Sequence, residues 1–381
     1  MIKHAIYSIL FSGILLASCI EPYQPRLSEN YPDILVIDGA IDASHQKAIV
    51  TLSHSMSLDD SDGPTLETGA EVTLEEQSGG TITLPEVKTG RYEAGLNIDY
   101  NKTYRLTVKT RGGKSYQSAY VPVQQTPALD SISWVPTADG ITIYANTHAA
   151  PGHPTSGYYQ WSYTQTWEYT AYYFSNLVMK DGIIYQRPES EDIYRCWKTV
   201  PSTRIVIGTS KKLAADIIRE LPLISVPKAS YQLSNTYTII VQQRSLTEEA
   251  YNYWLQLQKT TENVGGLFDP LPAQVTGNFT CLTNTDEPVL GFFAGSTVSE
   301  QRIFVHIRDL PPELQRNAPF PFCPVDSLPL EDGKLKHVGA NMSLIGSYGQ
   351  RTIEGYTSTT RECIDCTVQG GVTTKPDFWQ D

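Results

Sequence analysis

The sequence carries little positive charge for its length. Its 381 residues include 29 Lys and Arg against 41 Asp and Glu, which gives a formal net charge of −12. A nucleic-acid-binding protein needs a basic surface to displace phosphate counterions, so this balance excludes nucleic acid as a partner. The same acidity disfavours electrostatic adsorption to anionic lipid. Attachment to a membrane would therefore have to be covalent.

The motifs of common catalytic centres are missing as well. The sequence has no GxSxG elbow, no HExxH, no P-loop and no GxGxxG after a strand. The CxxC motif of Cys363 and Cys366 lacks the second ligand pair of a structural zinc site, and no βαβ pattern accompanies it as in redox proteins. We therefore expect no metal, no cofactor and no catalytic residues. A hydrolase built from scattered residues is the least favoured alternative.

The apolar run near the amino terminus is too short to span a bilayer. Residues 5–17 fall well short of the ~20 residues that a transmembrane helix needs. They follow Lys3 and end in residues 16–19 (LASC), which resemble a bacterial lipobox, where the cysteine is lipidated and becomes the first mature residue. We predict a signal peptide over residues 1–18 and acyl chains on Cys19. An ordinary signal peptide with a chance cysteine is the alternative.

Cysteine is scarce beyond the predicted lipid attachment site. Five cysteines remain, and they are Cys196, Cys281, Cys323, Cys363 and Cys366. In an exported chain, outside the reducing cytosol, the simplest account of this odd number is two disulfides and one free thiol. The sequence leaves the pairing open.

Strand-forming residues, by contrast, are abundant, with 23 tyrosines against 4 methionines. Residues 19–30 are polar, include two prolines and predict a tether. Residues 31–124 contain seven short runs that alternate apolar and polar side chains, separated by glycine-containing turns. Seven such runs without a helical pattern predict an Ig-like or transthyretin-like β-sandwich.

Residues 125–381 predict a larger β-rich domain with two short helices. Over residues 211–221, apolar side chains recur at i, i+4 and i+8, which is typical of an amphipathic helix. Residues 246–261 follow a capping box, in which Ser245 and Glu248 cap the first turn. The predicted fold class is therefore mainly β.

Aromatic residues alternate with polar ones over residues 158–174. Trp161, Trp167 and Tyr169 occupy odd positions of this run, so they share one face of a predicted strand. We interpret this face as core. The alternative is an aromatic platform that contacts sugars or peptides.

Four segments together resemble one family. The most specific is residues 284–304 (NTDEPVLGFFAGSTVSEQRIF), and the others are residues 34–39, 196–198 and 363–379. They are similar to the Bacteroidetes-type outer-membrane lipoproteins catalogued as domain of unknown function four-two-four-nine. The resemblance implies an envelope lipoprotein, often encoded beside a TonB-dependent receptor. It implies no established catalytic residues.

Within the most specific of these segments, Phe292 and Phe293 lie on opposite faces of a predicted strand. A ring on an exposed face is a candidate contact for a ligand or partner. The alternative is that both faces are buried between domains.

These observations predict a non-enzymatic lipoprotein that the acyl chains on Cys19 hold in the outer membrane. We expect it at the cell surface, with the periplasmic face as the alternative. Its expected role is that of an accessory or substrate-capturing subunit of a TonB-dependent transporter that takes up peptide or glycan. A structural or adhesion lipoprotein that binds protein or glycan is the alternative.

Overall fold

The structure, a computed structural model, describes residues 33–56, 63–150, 155–262, 275–315, 322–332, 335 and 342–380. The predicted signal peptide over 1–18, the lipid attachment at Cys19 and the predicted tether over 19–30 lie outside these residues. Within the described ranges, no helix is long and apolar enough to cross a membrane.

The described residues form 24 strands, one α-helix and five short 3-10 helices. The first strands are β1 (Leu35–Asp42), β2 (Lys47–His54), β3 (Glu71–Glu76), β4 (Thr81–Leu84), β5 (Glu86–Lys88), β6 (Arg91–Gly95), β7 (Thr103–Lys109), β8 (Ser115–Ser118) and β9 (Val121–Gln124). They are followed by β10 (Leu129–Thr137), β11 (Gly140–His148), β12 (Tyr158–Thr170), β13 (Leu177–Lys180), β14 (Ile183–Gln186), β15 (Arg195–Pro201), β16 (Val206–Thr209), β17 (Ile217–Pro227) and β18 (Thr236–Ser245). The chain continues through α1 (Glu248–Thr261), β19 (Phe279–Cys281), β20 (Val289–Ser296), β21 (Val298–His306), β22 (Asp326–Pro329), β23 (Met342–Tyr348) and β24 (Gly355–Thr360). The 3-10 helices are Glu189–Glu191, Tyr231–Leu233, Ile307–Asp309, Arg361–Cys363 and Cys366–Gln369.

The first lobe consists of β1–β9 together with β19 and β20. Its strands alternate buried and outward side chains, as in β1, where Leu35, Ile37 and Ile41 are buried in an aliphatic core. The layers of the predicted sandwich are joined through β9, which pairs with both β7 and β20, into one nearly closed sheet. The mainly β fold class is confirmed.

A segment from far along the chain completes the first lobe. β20 lies parallel to β1, with Phe292 opposite Asp38, and β19 pairs with β8. Parallel strands require a long crossover connection, and the crossover between β9 and β19 contains most of the second lobe. At Gly291, a Cβ atom would lie 2.0 Å from the carbonyl oxygen of Ile37, so only glycine permits this approach. The predicted sandwich over residues 31–124 did not include these two strands.

Two connections between the lobes are hydrogen-bonded to each other. Thr126, after β9, donates its backbone N–H to the Thr297 hydroxyl at 2.7 Å and its own hydroxyl to the Thr297 carbonyl at 2.6 Å. Thr297, between β20 and β21, donates its backbone N–H to the Gln124 carbonyl at 2.9 Å. These bonds fix the two lobes to each other at this point.

The second lobe, β10–β18 with α1 and β21–β24, packs around an aromatic core. β15, β12, β18 and β21 form one sheet, and β10, β11 and β17 form another. Along β12, the odd-numbered side chains from Tyr159 to Tyr169 are buried, as the alternation predicted. Tyr237 of β18 is buried among them.

The predicted helix over residues 211–221 is wrong. Residues 211–216 form turns and bends, and the following residues form β17, which pairs with β11. Leu213, which begins the predicted apolar stripe, is exposed, whereas Ile218 and Leu223 are buried in the sheet. Isoleucine-rich sequence interrupted by proline favours extended backbone, so packing against β11 decides the conformation.

The predicted helix over residues 246–261 is confirmed as α1, although its cap differs. The N-cap is Thr247, whose hydroxyl accepts the N–H of Ala250 at 3.2 Å. Ser245 instead ends β18. The predicted N-cap was therefore placed two residues too early, and the described cap is a single hydrogen bond, because Ala250 at N3 has no side-chain acceptor.

The part of the chain that the structure describes contains two disulfides and one free thiol, as the cysteine count predicted. One disulfide joins Cys196 to Cys366 and the other joins Cys323 to Cys363, with sequence separations of 170 and 40 residues. The free cysteine, Cys281, is buried in the first lobe. Both disulfides lie in the second lobe.

Candidate binding cleft

A row of side chains crosses the outer face of the first lobe. The order β20, β1, β2, β6 and the registers of these strands place side by side Phe292, Asp38, Thr51 and Arg91. Their chain neighbours point into the core, so the alternation sends this row outward. The next row contains the small side chains of Ala294 and Ala40, which leave the floor open.

The second lobe provides the opposite wall. It contributes Gln160 and Ser162 from β12, Arg244 from β18, residues 202–205 and Trp254 from α1. The cleft between the two walls has a volume of about 450 Å³. This volume falls in the ~300–1,000 Å³ range of small-molecule sites.

The end of α1 positions the loop that carries Arg204. Glu262 accepts the backbone N–H of Ile205 at 2.7 Å, and the Gln258 side chain donates to the Ile205 carbonyl at 2.6 Å. Arg204 itself is exposed and forms no ion pair with a described residue. A free guanidinium group therefore stands at the rim of the cleft.

Arg244 contributes a second guanidinium with unused hydrogen-bonding capacity. Its Nη2 lies 3.7 Å from Oδ2 of Asp42, whereas its Nη1 is buried without a hydrogen-bond partner among the described residues. Burial lowers the pKa of Arg244, and the charges of Asp42, Glu300 and Asp38 offset this effect only in part. The side chain of Arg244 is 24% exposed and lines the cleft, so a ligand acceptor can reach its guanidinium group, although not the buried Nη1 itself.

Asp38 is the carboxylate that lines the cleft. Its side chain is accessible from the cleft, although protein surrounds it on the other sides, and this burial raises its pKa. The positive charges of Arg244 and Arg91 oppose the increase in pKa without cancelling it. No described residue forms a hydrogen bond or an ion pair with Asp38, so its oxygens are available to a ligand.

Two other cavities contain charged groups that already have partners. A cavity of about 520 Å³ contains Asp216, which accepts hydrogen bonds from three side-chain hydroxyls. Burial alone would raise the pKa of Asp216, but these bonds outweigh it and lower the pKa. A cavity of about 610 Å³ contains His148, whose Nδ1 lies 2.7 Å from Asp130. Unlike these two cavities, the cleft combines charges of both signs that lack hydrogen-bond partners among the described residues.

Of the five side chains predicted to contact a ligand or partner, one reaches the cleft in an accessible position. The other four are buried, and they are Trp161, Trp167, Tyr169 and Phe293. Their burial favours the core interpretation of the aromatic strand over the platform interpretation. Phe292 is half-buried, lines the cleft and packs its ring 5.3 Å from that of Tyr253.

Sequence reasoning missed Asp38, Arg91, Arg204, Arg244 and Trp254. These residues come together only through the pairing of β20 with β1 and the packing of the second lobe. Arg244 could have been noticed as a candidate site residue from its local sequence, because it is the only charged residue of β18. Among the residues that the structure describes, no group of three or more His, Cys, Asp or Glu is placed to hold a metal ion.

The cleft can therefore bind a polar ligand that also has an apolar face.

No curated protein matches the chain. The family model described as Domain of unknown function (DUF4249) matches residues 20–302, a range that includes both walls of the cleft. The chain belongs to this family of proteins with a domain of unknown function.

Proposed function

We propose that this protein is a non-enzymatic lipoprotein of the outer membrane that captures a small ligand for a TonB-dependent transporter. The observation that carries the proposal is the cleft, in which Asp38 and Arg244 keep hydrogen-bonding capacity that no described residue uses. Polar groups that line a cleft and have no protein partner are available to a ligand, and a few such groups are usual at binding sites. The ligand is a peptide or a glycan.

The lipobox-like residues 16–19 support the location, since acyl chains on Cys19 would anchor the protein at the cell surface. The resemblance to lipoproteins encoded beside TonB-dependent receptors supports the partner. Because an acidic protein does not adsorb to anionic lipid by electrostatic attraction, the acyl chains are the expected means of attachment to the membrane.

The partner is tested by affinity purification of the lipidated protein from detergent-solubilised outer membranes. We expect a β-barrel receptor to be recovered with the wild-type chain. Cys19→Ala is the matched control, because it removes the anchor and leaves the folded lobes unchanged. Recovery of the wild-type protein without any β-barrel receptor would contradict the transporter role.

A second candidate, a surface lipoprotein that adheres to another protein, is favoured by the hairpin of β13 and β14. Ile183 and Tyr185 share one face of this hairpin and are 56% and 48% exposed. Neighbouring exposed apolar side chains are typical of protein interaction sites. Ile183→Glu should then abolish adhesion of intact cells, whereas variants of the cleft should leave it unchanged.

A further inference from the structure

The cleft presents two opposite charges that form no ion pair with each other. Asp38 is on the first lobe and Arg244 on the second, and no ion pair joins them. The guanidinium has Asp42 as its closest carboxylate, at 3.7 Å on the side of Nη2. Asp38 is accessible from the cleft without an ion-pair partner, and the guanidinium group of Arg244 forms no hydrogen bond with a described residue. A ligand that bonded to both groups would therefore be held by both lobes.

The positions of the charges set the order of groups on such a ligand. Asp38 lies between Phe292 and Thr51 in the row on the first lobe, and Arg91 ends that row. A carboxylate accepts hydrogen bonds only, so Asp38 calls for an O–H or N–H donor. On the opposite wall, Arg244 and Arg204 offer guanidinium donors, which bind carboxylates well because of their planar fork.

The remaining lining suits a ligand with hydroxyl groups and a flat apolar face. Ser162, Gln160 and Thr51 offer neutral hydrogen-bonding groups. Trp254 and Phe292 offer ring surfaces, and both pack on Tyr253, with ring centroids 5.4 and 5.3 Å away. Rings that are fixed in this way lose little conformational entropy when a ligand stacks on them.

The geometry points to a ligand that carries a carboxylate next to a hydrogen-bond donor, with the carboxylate on Arg244 and the donor on Asp38. This inference rests on the proposed function and specifies its substrate class. Two sources share the chemistry: an acidic sugar, in which hydroxyls are the donors, and an amino acid or short peptide, in which the ammonium group is the donor. Inorganic phosphate retains an O–H at neutral pH but has no apolar surface for the rings of Trp254 and Phe292, so we do not expect it to be the ligand.

Isothermal titration calorimetry on the lipidated full-length mature protein in detergent tests the ligand class. The probes are digalacturonic acid, its neutral counterpart galactobiose, the dipeptide Gly-Phe and inorganic phosphate. We expect one of the two carboxylate probes to bind at least about tenfold more tightly than galactobiose, because a charge-assisted hydrogen bond is lost without the carboxylate. Phosphate should also bind more weakly than that probe, because it has no apolar face for Trp254 and Phe292. Tighter binding of digalacturonic acid would identify the ligand as an acidic sugar, and tighter binding of Gly-Phe would identify it as an amino acid or short peptide.

Variants of the two charged residues test the assignment. Arg244→Gln should weaken the bound carboxylate probe about tenfold or more, and Asp38→Asn should weaken it by a smaller factor. Arg219→Gln is the matched control, because Arg219 is an exposed strand arginine outside the cleft. Circular dichroism checks folding, and Arg244→Lys, which keeps the charge, should recover part of the affinity.

Binding of galactobiose as tight as that of the tighter-binding carboxylate probe would overturn the inference, as would binding of phosphate alone or of none of the probes. Unchanged affinity in Arg244→Gln would also overturn it. Recovery of a β-barrel receptor by the same preparation is independent of these titrations. A failed ligand class and a failed transporter role can therefore be told apart.

Discussion

Each lobe of this protein must hold a chain segment that is distant in sequence, and the two lobes do so by different means. The first lobe takes β20 into its sheet, where backbone hydrogen bonds pair it in parallel with β1. The second lobe uses a disulfide between Cys196 and Cys366, across 170 residues. Their cores differ too, since the first is mainly aliphatic and the second is rich in tyrosine and tryptophan.

The difference has a consequence for function. A paired strand requires close backbone contact along its whole length, whereas a disulfide constrains only two positions. The strand also carries Phe292 and Ala294 into the cleft, but no cysteine lines it. Damage to the attachment of β20 should therefore remove both stability and the candidate site. Damage to the disulfides should reduce stability and leave the site intact.

The largest effect is expected for Gly291→Ala. The added Cβ would lie 2.0 Å from the Ile37 carbonyl oxygen, and the glycine has a φ of +132°, which L side chains rarely adopt. We expect a loss of about 4 kcal/mol or more in the free energy of unfolding, measured by urea denaturation. Gly95→Ala in β6 is the control, because its Cβ would meet nothing within 4 Å. Similar urea midpoints for the two variants would refute the role of β20.

Neighbouring residues of β20 should separate stability from binding. Phe293→Ala empties a fully buried position and should cost about 3–5 kcal/mol of unfolding free energy. Phe292→Ala removes a half-buried ring that contacts Tyr253, and should cost about 1 kcal/mol while weakening ligand binding. Urea denaturation and calorimetry measure the two effects. A larger loss of stability in Phe292→Ala than in Phe293→Ala would contradict the assigned strand faces.

Removal of either disulfide should act on the second lobe alone. Replacement of Cys196 and Cys366 by alanine should cost about 2–5 kcal/mol, and replacement of Cys323 and Cys363 about 1 kcal/mol less, because loop entropy grows with the logarithm of loop length. Thermal unfolding measures the costs, and ligand affinity should stay within about twofold. Cys281→Ala is the control that removes a cysteine without opening a disulfide. A loss of ligand binding in either double variant would link the disulfides to the cleft.

Local features of this structure can be predicted from the sequence more fully than contacts between distant segments. Alternation predicted seven strand runs up to residue 124, because an inward and an outward face produce a period of two, and the structure has nine strands in this stretch. It also placed Trp161 and Tyr169 on a single face, which is buried. The same logic failed over residues 211–221, where apolar spacing fits a helix and a strand and only packing on β11 distinguishes them.

The cleft could not be predicted, because its residues are neighbours only after folding. Asp38 and Phe292 meet through the register of a parallel pair whose strands lie at opposite ends of the family segment. Nothing local to either residue specifies that register. The sequence predicted that Phe292 and Phe293 lie on opposite faces of one strand. It did not predict which residues lie beside Phe292 on the neighbouring strand.

The smallest effect concerns an ionic contact at the edge of the first lobe. His54 Nδ1 lies 2.6 Å from Asp33 and its Nε2 lies 2.9 Å from Glu67. Burial tends to lower the pKa of His54, but the hydrogen bonds to Glu67 and Asp33 outweigh it, so the folded pKa is raised. The contact therefore stabilises the fold fully below the unfolded pKa of about 6.5 and loses this contribution as pH rises through the folded value. We expect wild type to exceed His54→Gln in unfolding free energy by up to about 1 kcal/mol near pH 5.5, since Asp33 is solvent-exposed. Urea denaturation near pH 8.5 should show a smaller difference, and a difference independent of pH would show that His54 stabilises this edge by packing instead of charge.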